Sequence, residues 1–450
     1  MAKRKQKGKA VKVLHVLQPN AAGIDIGATE IYIAVPEDRA QESIRHFGTF
    51  TENLHTAAQW LKSCNIDSIA MESTGVYWIP VYQVLDSYGF DVILVNARHV
   101  KNVPGRKTDV QDCQWLQYLH SVGLLRGSFR PAQDICAIRS LLRHRDTMVK
   151  SASSHVQHIQ KALTQMNFQI HNVISDIVGL TGLSIIDAIV AGERDRKKLA
   201  NLTDPRIKAD RKTIIKSLEG DFRSEHLFTL KQALSSYRHY QQMIRDCDLE
   251  IENHLTSVDS DIDVDDNSIP PSDRSKSKEK DDGSIFDLRS HLHRLFGTDL
   301  TLIDGISTLT SQKLYTEIGP DLSMFPTANH FCSWLGLSPQ NKISGGKILS
   351  SRTRPGSNRA AQALRLSANT LWRSKSYLGH YYRRMRTRLG APKAITATAH
   401  KLARIIYHLI KYRKPFDETV FAKQEQKHQE RMKKRFINQA KSLGLQLVTA

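Results

Sequence analysis

The first part of the chain alternates between short apolar runs and amphipathic stretches. Apolar, β-branched runs bounded by turn residues are typical of strands, whereas apolar positions three and four apart indicate helices. The pattern predicts strands at residues 24–26, 31–35, 69–72 and 91–95, and helices at residues 53–64, 81–88 and 109–120. We therefore expect an α/β domain over residues 22–130 that opens with a hairpin and follows a basic, disordered tail at residues 1–21.

Further along, the apolar residues follow steps of three and four over much longer distances. One series runs over residues 135–177 and is interrupted by Arg145, and a second runs over residues 227–255 with Asp248 on the same stripe. A series sustained for about six heptads predicts a coiled coil, and the first helix would extend roughly 60 Å. For residues 131–256 the sequence leaves two arrangements open, namely a helical hairpin within the chain and a stalk between chains.

The last third of the chain begins after a strongly polar segment. Residues 257–284 are rich in Ser, Asp and Lys, contain a proline pair and hold few apolar residues, which predicts a disordered linker. Helical periodicity returns in residues 285–416, where we expect a compact, mainly α domain. Residues 417–450 are predicted to form a charged helical tail.

The charge balance indicates the kind of partner. The chain holds 65 Lys and Arg against 45 Asp and Glu, a formal net charge of +20. Such an excess favours a polyanionic partner, with nucleic acid ahead of a membrane surface. Since no run approaches the roughly 18 apolar residues of a membrane span, we expect a soluble, cytoplasmic protein. The five cysteines are scattered without a Cys-x-x-Cys pair, so the sequence predicts neither disulfides nor structural zinc.

Four acidic residues stand at the predicted ligand-binding edge of the α/β domain. Asp25 ends a strand and is followed by Gly27, which permits close approach to the backbone, and Glu72 ends another strand. The ends of strands in an α/β sheet lie at one edge, where ligands bind. Asp109 and Asp112 lie three positions apart at the start of a predicted helix and therefore project from one face.

Convergent carboxylates repel one another unless a cation neutralises them. Oxygen ligands of this kind suit Mg²⁺, with Mn²⁺ as the alternative, and a pair of such ions is a recurring device for phosphodiester chemistry. The structural alternative is that each acid serves as a turn, strand-end or helix-dipole carboxylate. A basic approach to this edge precedes the helix and consists of Lys101, Arg106 and Lys107.

The C-terminal domain holds a candidate nucleophile and two candidate nucleic-acid surfaces. Ser344 lies in a Ser-Gly-Gly-Lys sequence, where glycine permits close approach and Lys347 could offset negative charge on a phosphate; an ordinary loop is the alternative. A basic and aromatic cluster suited to phosphate contact and stacking contains Arg383, Arg384, Arg386 and Arg388. Arg404 lies on the polar side of the next predicted helix. A solvated helix face is the alternative for both surfaces.

Several of these segments resemble one protein family. The segments Gly23–Gly27, Met71–Gly75 and Val95–Asp112 look like the RuvC-like domain of the DEDD transposases of bacterial insertion sequences, the bridge-RNA-guided recombinases. The segments Phe331–Leu337, Ser344–Lys347, Asn358–Leu371 and Lys393–Tyr407 are similar to the domain that carries the nucleophilic serine of that family. The resemblance lapses in the N-terminal tail, the linker and about the last 30 residues.

The resemblance implies a ribonuclease-H-like sheet in which an acidic tetrad holds a divalent metal, as a pair of ions in the Mg²⁺ class. That tetrad falls on Asp25, Glu72, Asp109 and Asp112. The nucleophile falls on Ser344, with Ser350, Ser351 and Ser357 as nearby alternatives. The resemblance further implies a transient 5′-phosphoserine link to DNA, a structured non-coding guide RNA, and a homodimer or homotetramer acting at the bacterial nucleoid.

Two other functions remain open at this point. A metal-dependent nuclease or Holliday-junction resolvase would use water as the nucleophile, and replacing Ser344 by Ala would then leave cleavage intact. A non-catalytic scaffold for nucleic acid would keep all its activities when Asp25 is replaced by Asn.

Overall fold

The computed structural model describes residues 15–73, 75–96, 109–260 and 286–442. The chain divides into two compact units, which meet in the sequence between Arg130 and Pro131. The predicted N-terminal tail and the predicted linker at residues 257–284 lie mostly outside the described residues, as do the last eight residues of the chain. In the part of the chain that is described, no helix is both long and apolar enough to cross a membrane.

The first unit is an α/β domain built on a five-stranded sheet. In chain order its elements are β1 (Ala21–Ile26), β2 (Glu30–Ala34), β3 (Ile44–Gly48), α1 (Thr51–Ser63), β4 (Ser68–Glu72), α2 (Trp78–Ser87), β5 (Asp91–Val95) and α3 (Asp109–Ser121). The strand order is β3-β2-β1-β4-β5, in which β2 is antiparallel to both of its neighbours while β1, β4 and β5 are parallel. This mixed sheet is consistent with the predicted RuvC-like fold.

The sequence pattern did not predict the edge strand β3. Its apolar pattern is interrupted by Arg45 and His46, which are both exposed. An edge strand has a neighbour on one side only, and polar side chains are well tolerated there. β3 is held instead by its antiparallel ladder with β2, in which Ile31 pairs with Phe47.

The two faces of the sheet are covered differently. One face carries the main core, where Ile24, Ile69 and Met71 pack with residues of α1 and α2 and are fully buried. Helix α3 lies on the other face, where its Leu116 packs against Val95 of β5. Alternate residues of a strand face opposite sides of a sheet, so the residues between the core positions face α3.

In its described residues the second unit is helical apart from one small hairpin. Its helices are α4 (Gln133–Gln165), α5 (Ile170–Val173), α6 (Leu180–Ala191), α7 (Arg196–Ala200), α8 (Arg211–Ser217), α9 (Ser224–Ser257), α10 (Leu288–Phe296), α11 (Thr308–Ile318), α12 (Ala328–Trp334), α13 (Arg359–Thr370), α14 (Tyr377–Leu389), α15 (Ala391–Tyr412) and α16 (Ala422–Ser442). Strands β6 (Lys342–Ser344) and β7 (Lys347–Ser350) form the hairpin, and short 3₁₀ turns lie at Leu300–Leu302, Leu371–Arg373 and Glu418–Phe421.

The two long helices α4 and α9 pack side by side within one chain. Arg145 of α4 forms a buried ion pair with Asp248 of α9, with nitrogen-to-oxygen distances of 2.5 and 3.0 Å. Farther along α4, the ring of His155 stacks on Tyr240 at 5.3 Å between centroids. Residue numbers rise on one helix as they fall on the other, so the pair is antiparallel. Of the two arrangements that the sequence left open, the structure contains the helical hairpin.

The first long helix is shorter than the roughly 60 Å predicted from its apolar period. It ends at Gln165, and Asn167 adopts a left-handed backbone conformation with φ 59°. The later apolar residues of the series, Ile170 and Ile177, are buried in a small helical module beyond this break. Ile170 and Ile177 lie outside α4, but they pack into the same core as its last apolar residues. The three-and-four spacing of apolar residues therefore continues in the sequence after the helix has ended.

Candidate active site and nucleic-acid interface

Two of the predicted tetrad residues lie at the carboxyl ends of neighbouring parallel strands. Ile24 of β1 pairs with Met71 of β4, so that Asp25 and Glu72 are the next residues along the two strands. Both side chains are half-buried. Since Ile24 and Met71 face the main core, Asp25 and Glu72 face the opposite side of the sheet, on which α3 lies.

Helix α3 is held against this face by close backbone contact. A Cβ atom at Gly23 would collide with the backbone of Cys113 and Gln117, so only glycine permits the observed approach. The side-chain amide of Gln117 donates a hydrogen bond to the carbonyl oxygen of Ala21 at 3.2 Å. One turn further along, the Ser68 hydroxyl contacts the ring Nε2 of buried His120 at 2.8 Å. These contacts fix α3 beside the strands that carry Asp25 and Glu72.

The third acid, Asp112, lies in the first turn of α3. Its neighbour Cys113 is fully buried, and burial raises the pKa of the Cys113 thiol to about 12. The negative charges of Asp25 and Asp112 raise this pKa further. Asp109 is the first residue of α3, and its side chain lies outside the described part of the structure.

The donor set at this edge consists of carboxylate oxygens, which are the ligands that Mg²⁺ and Mn²⁺ prefer. Asp25 and Glu72 bring such oxygens to neighbouring strand ends, and Asp112 brings another to the first turn of α3. Among the described side chains, no three His, Cys, Asp or Glu residues lie close enough together to hold a metal ion. By their chemistry these carboxylates suit a divalent cation, whereas the described side chains do not by themselves form a metal site. The predicted set also includes Asp109, whose side chain is not described.

Ser344 lies at the tip of the β6–β7 hairpin. It is the last residue of β6 and pairs with Lys347 of β7, across a two-residue turn of Gly345 and Gly346. Both glycines have positive φ angles, 55° and 75°, as a tight hairpin turn of this type requires. Ser344 and Lys347 are exposed, and so are the apolar neighbours Ile343, Ile348 and Leu349.

The alternative serines occupy less prominent positions on or beyond the same hairpin. Ser350 ends β7 and is half-buried, and its hydroxyl accepts a hydrogen bond from the backbone of Arg352 at 3.4 Å. Ser351 and Ser357 are exposed in the segment that leads into α13. Of the four serines, Ser344 is the one that borders the glycine turn.

The four arginines of the predicted basic cluster lie on α14 in different environments. The Arg383 guanidinium donates hydrogen bonds to the backbone carbonyl oxygens of Trp372 and Ser374, at 3.0 and 2.7 Å, and thereby ties α14 to the preceding turn. Arg384 is half-buried with its guanidinium 6.0 Å from the ring centre of Tyr381.

The other two members of the cluster, Arg386 and Arg388, are exposed near the end of α14. Arg404 is exposed on α15, as its predicted place on the polar side of that helix requires. The predicted basic residues Lys101, Arg106 and Lys107 lie outside the described residues. Contact of any of these residues with nucleic acid stays a prediction.

Comparison with known families follows the same division of the chain. A family model of the IS110-type DEDD transposases, described as Transposase, matches residues 22–168. A second model, described as Transposase IS116/IS110/IS902 family, matches residues 298–383. The chain carries both domains of an IS110-family transposase. No curated protein matches it in a sequence comparison.

The two transposase domains contain the candidate chemistry. The first matched segment includes Asp25, Glu72, Asp109 and Asp112, and the second includes Ser344. The family match therefore supports the transposase function that the sequence resemblance implied, and with it DNA as a partner. Most of the arginine cluster on α14, and Arg404, lie beyond the second matched segment.

Sequence reasoning missed the residues that position the predicted acids. Gly23 is indispensable for the contact between β1 and α3, yet a glycine in a strand is a weak signal. Cys113 and Gln117 follow Asp109 at steps of four, which placed them on the same helix face as the acid. That spacing could have predicted that the three residues share a helix face. That this face packs on Gly23 of β1 is shown only by the structure.

Proposed function

We propose that the chain is an insertion-sequence transposase that cuts and rejoins DNA through a covalent serine–DNA intermediate, assisted by a divalent metal. The observation that carries this proposal is the presence of two transposase domains, one holding the acidic tetrad and the other a serine at a glycine hairpin tip. A covalent link conserves the energy of the broken phosphodiester bond for rejoining, which simple hydrolysis does not.

The acids of the first unit are the proposed metal ligands. Asp25 and Glu72 lie at the ends of neighbouring parallel strands, and Asp112 lies on the helix that packs against β1, with Asp109 as the fourth member of the set. When bound there, Mg²⁺ or Mn²⁺ supplies positive charge that polarises a scissile phosphate. The protein supplies a rigid edge, because the close contact of Gly23 with α3 leaves little freedom for the strand that carries Asp25.

Ser344 is the proposed nucleophile. Its Oγ attacks the phosphorus and loses its proton, the bond from phosphorus to O3′ breaks, and O3′ takes up a proton to leave a 3′-hydroxyl group. The 5′ side of the DNA is then attached to the serine as a phosphodiester. Attack by a second 3′-hydroxyl reverses the chemistry, forms the new strand and releases Ser344. Lys347, which pairs with Ser344 across the hairpin, offsets negative charge on the phosphate.

The proposed partners are DNA, a structured non-coding guide RNA and further copies of the chain. The net charge of +20 and the exposed arginines of α14 and α15 support a nucleic-acid partner. The guide RNA and the homodimer or homotetramer rest on the family resemblance.

A cleavage assay tests the metal site. End-labelled DNA with the ends of the element is incubated with the protein, its flanking non-coding RNA and Mg²⁺. We expect Asp25→Asn, Glu72→Gln, Asp109→Asn and Asp112→Asn each to lower cleavage at least about 100-fold. The matched control is Asp86→Asn, an exposed acid of α2, which should cleave as wild type does. Mn²⁺ binding followed by electron paramagnetic resonance provides a readout independent of cleavage, and unchanged binding in the tetrad variants would refute the metal assignment.

A metal-dependent nuclease that uses water is the second candidate. It is favoured by the contrast between the half-buried acids of the first unit and the exposed position of Ser344. In that case Ser344→Ala would cleave DNA as wild type does and no protein–DNA adduct would form.

A further inference from the structure

A cavity of about 620 Å³ lies in the second unit between α15 and the chain that follows this helix. One wall is a stripe along the C-terminal half of α15, and the other is residues 414–421, which we call the return segment. The wall residues are Lys401, Arg404, Ile405, His408, Leu409 and Tyr412 on the helix, with Lys414, Phe416, Val420 and Phe421 among those of the return segment. The cavity lies outside the carboxylate edge and the serine hairpin.

The return segment is fixed at both of its ends. At its start, Arg413 has φ 48°, and the backbone N–H of Lys414 donates to the carbonyl oxygen of Leu409 at 3.2 Å. The Thr298 hydroxyl also donates to the carbonyl oxygen of Lys414 at 2.8 Å. The reversal of the chain after α15 is therefore tied to both the helix and the start of the domain.

At its other end the return segment is tied to α14. The Glu418 carboxylate accepts a hydrogen bond from the backbone N–H of Tyr377 at 2.6 Å. The ring of Phe421 stacks on the Tyr377 ring, with 4.5 Å between centroids and 6° between planes. The cavity thus has a built second wall and is more than a groove on a helix surface.

The cavity combines an apolar lining with cations. Leu409, Tyr412, Phe416 and Val420 contribute apolar or aromatic surface, and the His408 ring stacks on Tyr412 with 10° between planes. Lys401, Arg404, His408 and Lys414 contribute basic groups. The acid in the lining, Asp417, is engaged by the backbone N–H and hydroxyl of Thr419, at 2.8 and 2.6 Å.

Among the described residues that line this cavity, positive charge exceeds negative charge, since Asp417 is the single acid beside Lys401, Arg404 and Lys414. Neither Lys401 nor Arg404 forms an ion pair with a described carboxylate within 4.0 Å. Burial lowers the pKa of Lys401, and the nearby charges of Arg404 and Arg384 lower it further. Burial and the charge of Arg404 lower the pKa of His408 as well. An anion bound beside these groups would relieve the mutual repulsion of the cations.

We propose that this cavity binds one unstacked nucleotide of a single-stranded nucleic acid. The base packs among Tyr412, Phe416 and Val420, and the phosphate is neutralised by Lys401 and Arg404. A volume of this size suits a small flat ligand, and aromatic surface next to a basic groove is the usual means of holding an unpaired base. This inference rests on the proposal that the chain acts on nucleic acid, and it adds a site outside the two matched transposase segments.

The test measures binding without catalysis. Fluorescence anisotropy in EDTA gives the affinity of a labelled 12-nucleotide DNA, of the same sequence as RNA, and of a DNA in which all bases are replaced by abasic spacers. Val420→Trp fills the cavity from a position where the side chain is 65% exposed, and Arg404→Gln removes one phosphate contact. Lys375→Gln is the matched control, because it removes an exposed charge of the same unit from a residue that does not line the cavity.

We expect Val420→Trp and Arg404→Gln each to weaken binding of the strand with bases about tenfold, whereas Lys375→Gln changes it less than twofold. Val420→Trp should not weaken binding of the abasic strand. The better-bound of the DNA and RNA strands identifies the source of the nucleotide. Equal affinity of wild type and Val420→Trp for the strand with bases, or an equal loss for the abasic strand, would overturn the inference.

These outcomes stand apart from the proposed function. Cleavage may fail while the binding pattern holds, which would leave a nucleotide site in a protein that does not cut by the proposed route. Cleavage may instead succeed with binding unaffected by Val420→Trp, which would remove the cavity site alone. Circular dichroism and thermal unfolding verify that each variant is folded. If Val420→Trp does not fold, Arg404→Gln provides a second test, because Arg404 is exposed.

Discussion

The backbone carbonyl of Cys113 occupies the space that a side chain at position 23 would need, and Gly23 is therefore the residue that lets α3 lie on β1. This contact joins two parts of the chain that are about ninety residues apart. It has a direct consequence for the candidate active site, because Asp25 is the residue before the last in β1 and α3 carries Asp112.

Replacing Gly23 by Ala should disturb this contact. The obstructing atoms belong to the backbone of a helix and cannot move aside as a side chain can. Overpacking of this kind costs about 2–3 kcal/mol, and we expect a lower midpoint of thermal unfolding together with a loss of DNA cleavage. Gly127→Ala is the matched control in the same unit, since its Cβ would lie an ordinary 3.6 Å from Ile93. Wild-type stability of Gly23→Ala would contradict the described packing.

The Cys113 thiol reports on the same contact. Burial raises its pKa to about 12, with Asp25 and Asp112 adding to the effect. At pH 8 only about one thiol in ten thousand would be ionised, and the thiolate is the reactive form. We expect a thiol reagent to label half-buried Cys136 in the native protein and to leave Cys113 unmodified, with mass spectrometry assigning the sites.

In the Gly23→Ala variant, labelling of Cys113 should become faster, because α3 no longer lies closely on the sheet. Raising the pH from 7 to 9 should increase the rate while leaving Cys113 far slower than Cys136, since its folded pKa lies above this range. Labelling of native Cys113 at the rate of Cys136 would show that the thiol is not enclosed.

The buried pair of Arg145 and Asp248 should be essential for the α4–α9 hairpin. Their side chains are 11% and 5% exposed. Removing one partner of a buried ion pair leaves an uncompensated charge and costs about 3–5 kcal/mol. Arg145→Met should therefore lower the midpoint of thermal unfolding strongly, whereas Arg145→Met combined with Asp248→Leu should recover most of the loss. A double variant no more stable than the single one would contradict this interpretation.

Substitutions of Gly345 test whether the geometry of the hairpin turn next to Ser344 matters for strand cutting. Gly345 has φ 55°, a conformation that Asn tolerates and a β-branched residue does not. We expect Gly345→Asn to retain most of the strand-cutting activity and Gly345→Val to lose most of it. Both variants should remain folded, because a Cβ at this exposed turn meets no atom within 4 Å and the backbone strain of Gly345→Val is confined to the hairpin. Equal activities of the two variants would indicate that the turn geometry is irrelevant.

Much of the local structure was predictable from the sequence, since strand and helix periods are local properties. The positions of Asp25 and Glu72 at strand ends follow from short apolar runs, and the helix that begins at Asp109 follows from its amphipathic pattern. The role of Gly23 was not predictable, because it depends on a contact with α3 that no local pattern reveals.

Longer-range features show the same limit. The apolar series did not reveal the end of α4, because Ile170 continues the period from a separate helix that packs into the same core. The boundary predicted between residues 416 and 417 divides the return segment, whose placement depends on the contacts of Glu418 and Phe421 with Tyr377. A sequence pattern marks such residues as a charged tail, and only their partners show that they form a cavity wall.

The most direct test of the central claim is a search for a covalent protein–DNA adduct. Wild type, Ser344→Ala, Ser350→Ala, Ser351→Ala and Ser357→Ala are incubated with end-labelled element DNA, the flanking non-coding RNA and Mg²⁺, and separated on a denaturing gel. We predict an adduct that Ser344→Ala alone among the serine variants abolishes, that Asp25→Asn also abolishes, and that mass spectrometry assigns to the peptide containing Ser344. Cleavage that persists in Ser344→Ala without any adduct would contradict the account and establish hydrolysis by water.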